Sequence, residues 1–151
     1  MLKLERILVA TDFSLPSQKA LRYGIERAQA TGGALLLLHV VPPPSLLEQM
    51  AGGGDARDAA TRTWVDERLR DMLAHEVPPQ IASRAVQRSG SPAHEIVAVA
   101  RDERASLIVV ATRGQGGLAN ALTGSTAERV VREAPCPVLT VHEREQEFIT
   151  P

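Results

Sequence analysis

Short apolar runs in the sequence alternate with segments of helical periodicity. The clearest run, 34–41, reads ALLLLHVV and is apolar at positions that point to both faces of an extended strand. Strands of this kind are buried on both sides, as in a parallel sheet that helices cover on its two faces. Because runs at 6–11 and 106–112 have the same character, the pattern predicts a sheet between two helical layers.

The segments between these runs carry the apolar spacing of amphipathic helices. The first helix is predicted at 15–30, where Gly32–Gly33 ends the pattern. Further helices are predicted at 57–75, from Pro92 onward and at about 125–134. The residues predicted to be buried in the first two helices are Ala20, Leu21, Gly24, Ile25, Ala28, Ala60, Trp64, Leu69, Met72 and Leu73.

Weaker strands at 81–87 and 137–141 complete a β-α-β-α-β-α-β-α-β order. This alternation predicts an α/β fold with a parallel sheet and right-handed crossovers. We expect a single domain over 1–142, followed by a polar tail at 143–151. The segment 45–56 is interpreted as a mobile loop, with one helical turn as the alternative.

Composition excludes several classes of function. The net charge is −1, with 17 basic residues scattered among 18 acidic ones, and aromatic residues make up only 3%. Neither a basic surface nor stacking platforms for nucleic acid are therefore expected. The single cysteine, Cys136, excludes an internal disulfide. No signal-peptide pattern and no apolar run of about 18–20 residues is present, so we expect a cytoplasmic protein without a membrane partner.

The loop after the fourth strand, Ala111–Ser125, is the best candidate for a ligand site. Its glycines let the backbone approach a ligand closely, and Gly124-Ser125 stands where a helix begins. Unpaired N–H groups and the helix dipole favour phosphate at such a place. The alternative is a capping box, in which Ser125 and Glu128 only satisfy the start of the helix.

A second candidate position is the turn after the first strand. Ligands of doubly wound sheets bind beyond the carboxyl ends of the strands, where Asp12 is found here. Asp12 either contacts a ligand or braces the turn into the first helix. His39, inside its apolar run, is interpreted as a strand histidine with a structural hydrogen bond. No nucleophile with a base, paired carboxylates or metal cage is evident, so the sequence favours binding over catalysis.

Five segments, taken in order, resemble the universal stress protein family over residues 4–142. They are ILVATDFS at 7–14, LLLLHVV at 35–41, Gly90-Ser91-Pro92, the segment 111–126 and APCPVL at 134–139. The resemblance implies a single-domain, Rossmann-like, doubly wound sheet of five parallel strands in the order 3-2-1-4-5. It also implies that the chain binds ATP or another adenine nucleotide, with or without Mg²⁺.

The resemblance assigns the site residue by residue. Asp12 and the backbone of Val40 would contact adenine, and Ala10 and Thr11 would line the same pocket. The ribose and phosphates would be held by Gly114, Gly124, Ser125 and Thr126, with Arg113 adding a cation. Members that bind ATP carry Gly, two residues, Gly, nine residues and then Gly-Ser or Gly-Thr. This chain matches that motif except at its first position, which is Ala111.

The implied function is a stress-response protein whose conformation or interactions switch with nucleotide. The alternatives are a family member that binds no nucleotide and acts as an interaction scaffold, or a slow ATP hydrolase. The resemblance further implies a homodimer formed by the last strand, near Val138–Val141. A short apolar edge strand invites such pairing.

Overall fold

The fold is built from five strands and five helices in a computed structural model that describes residues 3–52, 54–112 and 125–142. The strands are β1 (Arg6–Ala10), β2 (Ala34–Val41), β3 (Ser83–Ser89), β4 (Leu107–Ala111) and β5 (Val138–Val141). The helices are α1 (Leu15–Thr31), α2 (Leu46–Met50), α3 (Gly54–Glu76), α4 (Pro92–Asp102) and α5 (Ser125–Glu133). The predicted tail, 143–151, lies outside the described residues.

The five strands form one parallel sheet in the order β3-β2-β1-β4-β5. This confirms the predicted α/β class and strand order. The chain steps outward from β1 to β3 on one side and then returns to place β4 on the other side of β1. The strand order therefore reverses between β1 and β4, which is where doubly wound folds bind their ligands.

Two apolar clusters hold the helices against the faces of the sheet. The α1–α3 cluster joins side chains of these two helices to one face of the sheet, including Ile7 and Val9 of β1. The α4–α5 cluster covers the other face of the sheet. It includes Leu8, which lies between Ile7 and Val9 in β1. Ile7, Leu8 and Val9 are all fully buried. Burial on both faces explains why the runs are apolar throughout instead of alternating.

Helix α1 packs as its periodicity predicts, since all five of its predicted positions are buried. Ser14 caps its N-terminus by accepting a hydrogen bond from the Ser17 N–H, and Gly32 ends it in the left-handed conformation at φ 72°. A Cβ atom on Gly24 would collide with Cγ2 of Val9. The glycine therefore allows α1 to approach β1 closely.

Helix α3 differs from its prediction in length and in its buried face. It begins at Gly54 instead of 57, and α2 precedes it, held by a capping box between Ser45 and Glu48. Leu69 and Met72 are buried as predicted, and Leu73 is half-buried.

Burial of Ala60 and Trp64 was predicted wrongly, because residues 57–64 are all exposed and burial begins only at Val65 in the part of α3 from residue 57 onward. Only the C-terminal part of the helix lies on the sheet. In the part of the chain that the structure describes, no helix combines the length and apolar character needed to cross a membrane.

Candidate functional site

The carboxyl edge of the sheet has a gap where β1 ends before its neighbours. The β1–β2 pairing ends at Ala10 opposite Leu38, and the β1–β4 pairing ends at Val9 opposite Val109. Strand β2 continues to Val41 and β4 to Ala111. Both neighbours therefore extend past β1, and the turn that follows β1 lies between them.

That turn is braced by Asp12. Its Oδ1 atom accepts a hydrogen bond from the Ser14 N–H at 3.0 Å and a second one from the Ser14 hydroxyl. This is an Asx-turn, in which an aspartate side chain takes the place of a backbone acceptor. The bracing role predicted for Asp12 is thus present. Its half-buried carboxylate lies at the switch point of the sheet.

Thr11 is almost completely buried beneath the turn, with 5% of its surface exposed. Its hydroxyl accepts a hydrogen bond from the Phe13 N–H at 3.1 Å and lies 3.0 Å from the Ser17 hydroxyl. The Ser17 hydroxyl in turn donates to the Ser14 carbonyl at 2.8 Å. This buried network ties the end of β1 to the first turn of α1, so the turn is held rigidly.

The backbone groups of Val40 point into the gap beside this turn. Along β2, residues 34 and 38 bond to the β1 side, whereas residues 35 and 41 bond to the β3 side. Because the bonding direction alternates along a strand, the N–H and C=O of Val40 face the β1 side. No backbone hydrogen bond joins Val40 to β1 or to residues 11–14. A donor and an acceptor therefore lie side by side next to Asp12.

His39 contacts the turn from the neighbouring strand, which confirms its interpretation as a hydrogen-bonded strand histidine. Its Nδ1 atom lies 2.7 Å from the Thr11 carbonyl oxygen. The Phe13 ring lies against it with centroids 4.5 Å apart, and Trp64 meets Phe13 edge-on at 5.3 Å. Phe13 has a φ of 65°, which is strained for a bulky side chain. The His39 and Phe13 contacts were not identified as part of the site from sequence.

Acidification is expected to destabilise the protein through His39. Burial lowers the pKa of His39 below 6.5, although the Thr11 carbonyl and the charge of Asp12 oppose the shift. The unfolded chain therefore binds more protons than the folded one just below pH 6.5. The free energy of unfolding should fall as the pH drops through that value and level off below the folded-state pKa.

Urea unfolding between about pH 7.5 and 5.5 checks this, with His39→Asn as the matched control because asparagine does not titrate. The wild type should lose more stability over this interval than the variant. Equal losses in both proteins would contradict the role of His39.

Ala111 ends β4 in an ordinary strand conformation. Phe13 and Arg104 are the non-glycine residues with positive φ in the described chain, so Ala111 needs no glycine at its position. Its half-buried methyl packs against the α1–α3 cluster. The side chains of Ala10 and Val40 instead pack with the α4–α5 cluster. The methyl of Ala111 therefore points to the opposite face of the sheet.

The N-terminus of α5 lies at the same edge of the sheet. Only residues 134–137 separate the end of α5 from β5, so α5 ends at the amino edge and begins at the carboxyl edge. Ser125 and Thr126 are exposed in its first turn. The structure thus places Ala10, Thr11, Asp12, Val40, Ala111, Ser125 and Thr126 at one edge. The other predicted site residues, Arg113, Gly114 and Gly124, lie outside the described residues.

The described side chains do not suggest other chemistry. No group of three His, Cys, Asp or Glu residues in the described part of the chain is arranged to hold a metal ion. Cys136 is half-buried beside the α4–α5 cluster, and this burial raises the pKa of its thiol. A raised pKa keeps the thiol protonated and weakly nucleophilic. The gap at the carboxyl edge is therefore the candidate site, and its groups are suited to binding.

Comparison with known proteins gives a family match over nearly the whole chain. A model of the universal stress protein family matches residues 3–142. A universal stress protein of Methanocaldococcus jannaschii is 50% identical over 58 residues, which cover 38% of this chain and 34% of the relative. One of Methanothermobacter thermautotrophicus is 43% identical over 76 residues, 48% and 51% of the two chains. The matched segments thus span about a third to a half of these relatives.

Two solved structures share the fold over almost their full length. The UspA structure of Lactobacillus plantarum superposes with a TM-score of 0.69 at 26% identity, covering 92% of this chain and 98% of the other. A universal stress protein solved in complex with cAMP has a TM-score of 0.62 at 25% identity, covering 91% and 96%. Both are similar to this chain in their overall architecture.

Proposed function

This chain belongs to the universal stress protein family, and from that premise we propose that it binds an adenine nucleotide, ATP in the first place. The nucleotide would lie across the carboxyl ends of β1 and β4. The observation that carries the proposal is the N–H and C=O pair of Val40, which faces the gap beside Asp12 without a backbone partner from β1.

This pair is complementary to the edge of adenine. Adenine presents a ring acceptor, N1, next to an amino donor, N6, so the Val40 N–H can donate to N1 while its C=O accepts from N6. Guanine presents the reverse order at the same two positions. A site built from fixed donors and acceptors rejects a ligand that leaves them unpaired. Asp12 adds an acceptor beside this pair, and Ala10 and Thr11 line the pocket next to it.

The phosphates would extend toward α5. Its exposed N-terminal turn offers unpaired N–H groups and the hydroxyls of Ser125 and Thr126. Arg113, Gly114 and Gly124 complete this part of the proposed site. Mg²⁺ would be held chiefly by the phosphates and water, as is usual for this ion. The related structure with bound cAMP supports an adenine nucleotide as the class of ligand.

Replacing Ala111 with glycine is expected to change ATP affinity by less than about threefold. The Ala111 methyl packs against the α1–α3 cluster, away from Ala10 and Val40. The glycine should instead cost roughly 0.5–1 kcal/mol of stability, because it adds backbone freedom to the unfolded chain. Titration calorimetry and urea unfolding measure the two effects. A gain in affinity of tenfold or more would show that the methyl obstructs the ligand.

Binding would serve as a switch in the stress response, since a partner protein can recognise the nucleotide-bound state of the chain. A homodimer through the edge strand β5 forms part of the proposal. Val138 and Leu139 are only half-buried at that edge of the sheet. Light scattering at micromolar concentration should give twice the chain mass, and a monomer mass would remove the dimer.

The direct test is to purify the protein gently, release bound small molecules with acid and identify them by mass. Added ATP should also raise the melting temperature. A ligand at a hundred times its Kd stabilises the folded state by about 2.7 kcal/mol. For a chain of this size this corresponds to roughly 5–10 °C. Absence of any released nucleotide together with an unchanged melting temperature would favour the scaffold alternative.

A further inference from the structure

We infer that His39 and the hydroxyl of Thr11 are positioning residues that keep the backbone of Val40 open for adenine. They do so by occupying two backbone groups, the Thr11 C=O and the Phe13 N–H, that would otherwise pair with Val40. The inference deepens the proposed function, because the availability of Val40 matters for the ligand only if adenine binds there.

The hydrogen bonds between β1 and β2 show which bonds would come next. The Ala34 N–H donates to the Glu5 carbonyl at 2.9 Å, and the Thr11 N–H donates to the Leu38 carbonyl at 2.8 Å. In a parallel ladder these bonds repeat every two residues on each strand. Continuing the ladder beyond Leu38 would join the Val40 N–H to the Thr11 carbonyl. The Phe13 N–H would then donate to the Val40 carbonyl.

Side chains take both of these places. The Thr11 carbonyl is 2.7 Å from Nδ1 of His39, and because a carbonyl only accepts, Nδ1 carries the hydrogen. The Phe13 N–H donates to Oγ1 of Thr11 at 3.1 Å. The positive φ of Phe13 turns the chain at this point, and its ring packs on His39. These two side-chain hydrogen bonds therefore end the β1–β2 ladder before it reaches Val40.

The consequence is a ready-made pair of ligand-binding groups. Val40 is only 8% exposed, yet its N–H and C=O face the gap without a partner from β1 or the turn. Buried backbone groups of this kind are costly to leave unpaired, so a ligand that satisfies them is favoured. A substitution that removes the Nδ1 donor of His39 frees the Thr11 carbonyl. This carbonyl can then accept the Val40 N–H in place of N1 of adenine.

The first test needs no nucleotide and measures amide hydrogen exchange. In the wild type, the Val40 amide should exchange faster than that of Leu38, which continues the ladder on the same strand. His39→Leu should slow the exchange of Val40 by roughly tenfold or more, because one new hydrogen bond protects it. In His39→Asn the Val40 amide should exchange as it does in the wild type, because the side-chain N–H of asparagine can donate to the Thr11 carbonyl in place of Nδ1. Unchanged Val40 exchange in His39→Leu would overturn the inference.

The second test compares ATP with GTP by calorimetry. The wild type should prefer ATP, and His39→Leu should weaken ATP by roughly tenfold while leaving GTP unchanged, since phosphate contacts are shared. His39→Asn should restore the preference for ATP. Equal weakening of both nucleotides would indicate a merely structural role and overturn the inference. If the wild type binds neither nucleotide, the proposed function fails. The exchange experiment would still show whether His39 keeps Val40 from pairing with the turn.

A second pair of variants, at Thr11, tests the inference independently if His39→Leu does not fold. Thr11→Val preserves the side-chain shape but removes the hydroxyl that holds the Phe13 N–H, whereas Thr11→Ser retains it. Thr11→Val should lose the preference for ATP over GTP, and Thr11→Ser should keep it. Equal ATP-to-GTP ratios in these two variants would contradict the inference.

Discussion

Asp12→Asn is expected to weaken ATP binding by roughly 10- to 100-fold, the effect of losing a charge-assisted hydrogen bond of about 1.5–3 kcal/mol. The melting temperature of the free protein should change little, because the amide oxygen of asparagine can still accept the Ser14 N–H that now bonds Oδ1. The substitution therefore separates the two roles of Asp12. It removes the carboxylate charge and one acceptor but retains the brace of the turn.

Titration calorimetry measures the affinity, with Asp102→Asn as the control. Asp102 is an exposed carboxylate whose Oδ2 lies 4.0 Å from Arg88, and it belongs to α4 outside the gap. Its variant should bind ATP as the wild type does. If Asp12→Asn also binds with wild-type affinity, Asp12 only braces the turn and does not contact the nucleotide.

Leu69→Ala is expected to reduce the free energy of unfolding by about 3 kcal/mol, within the usual range for a buried leucine. Leu69 is fully buried in the α1–α3 cluster and fixes the C-terminal part of α3 to the sheet. A loss of this size lowers the melting temperature by roughly 6–12 °C for a chain of this length. Urea unfolding gives the free energy directly.

Leu47→Ala is the matched control, because it makes the same substitution in a helix at a residue that is 80% exposed. Its unfolding free energy should stay within about 0.5 kcal/mol of the wild type. Similar losses in the two variants would mean that α3 does not pack on the sheet through Leu69.

The sheet was predictable from sequence because its central strands are buried on both faces. Ile7, Leu8 and Val9 are apolar without alternation, and only helices on both sides of a parallel sheet satisfy that pattern. Helix α1 was equally predictable, since its buried residues extend over most of its length, from Ser17 to Ala28. Helix α3 was not, because apolar spacing does not reveal how far a helix extends beyond the sheet. Trp64 fits the apolar pattern but lies in the exposed part.

The candidate site was predictable only in part. Asp12 was predicted both from its place after the first strand and from the family resemblance, whereas Val40 was predicted from the resemblance alone. His39 was interpreted only as a structural histidine, because its partner is the carbonyl of Thr11, 28 residues away in sequence. Hydrogen bonds between distant backbone and side-chain groups leave no periodic pattern. A histidine near the carboxyl end of an otherwise apolar strand was the one signal available.

The measurement that tests the central claim most directly is an amide NMR titration of the protein with ATP. An adenine nucleotide in the proposed position should shift the amide signals of Asp12, Val40, Ser125 and Thr126, whereas those of Gly32 and Gly33, which precede β2 at the opposite edge of the sheet, stay in place. Saturable shifts confined to this edge would support the account. Shifts located elsewhere, or no shifts at millimolar ATP, would contradict it.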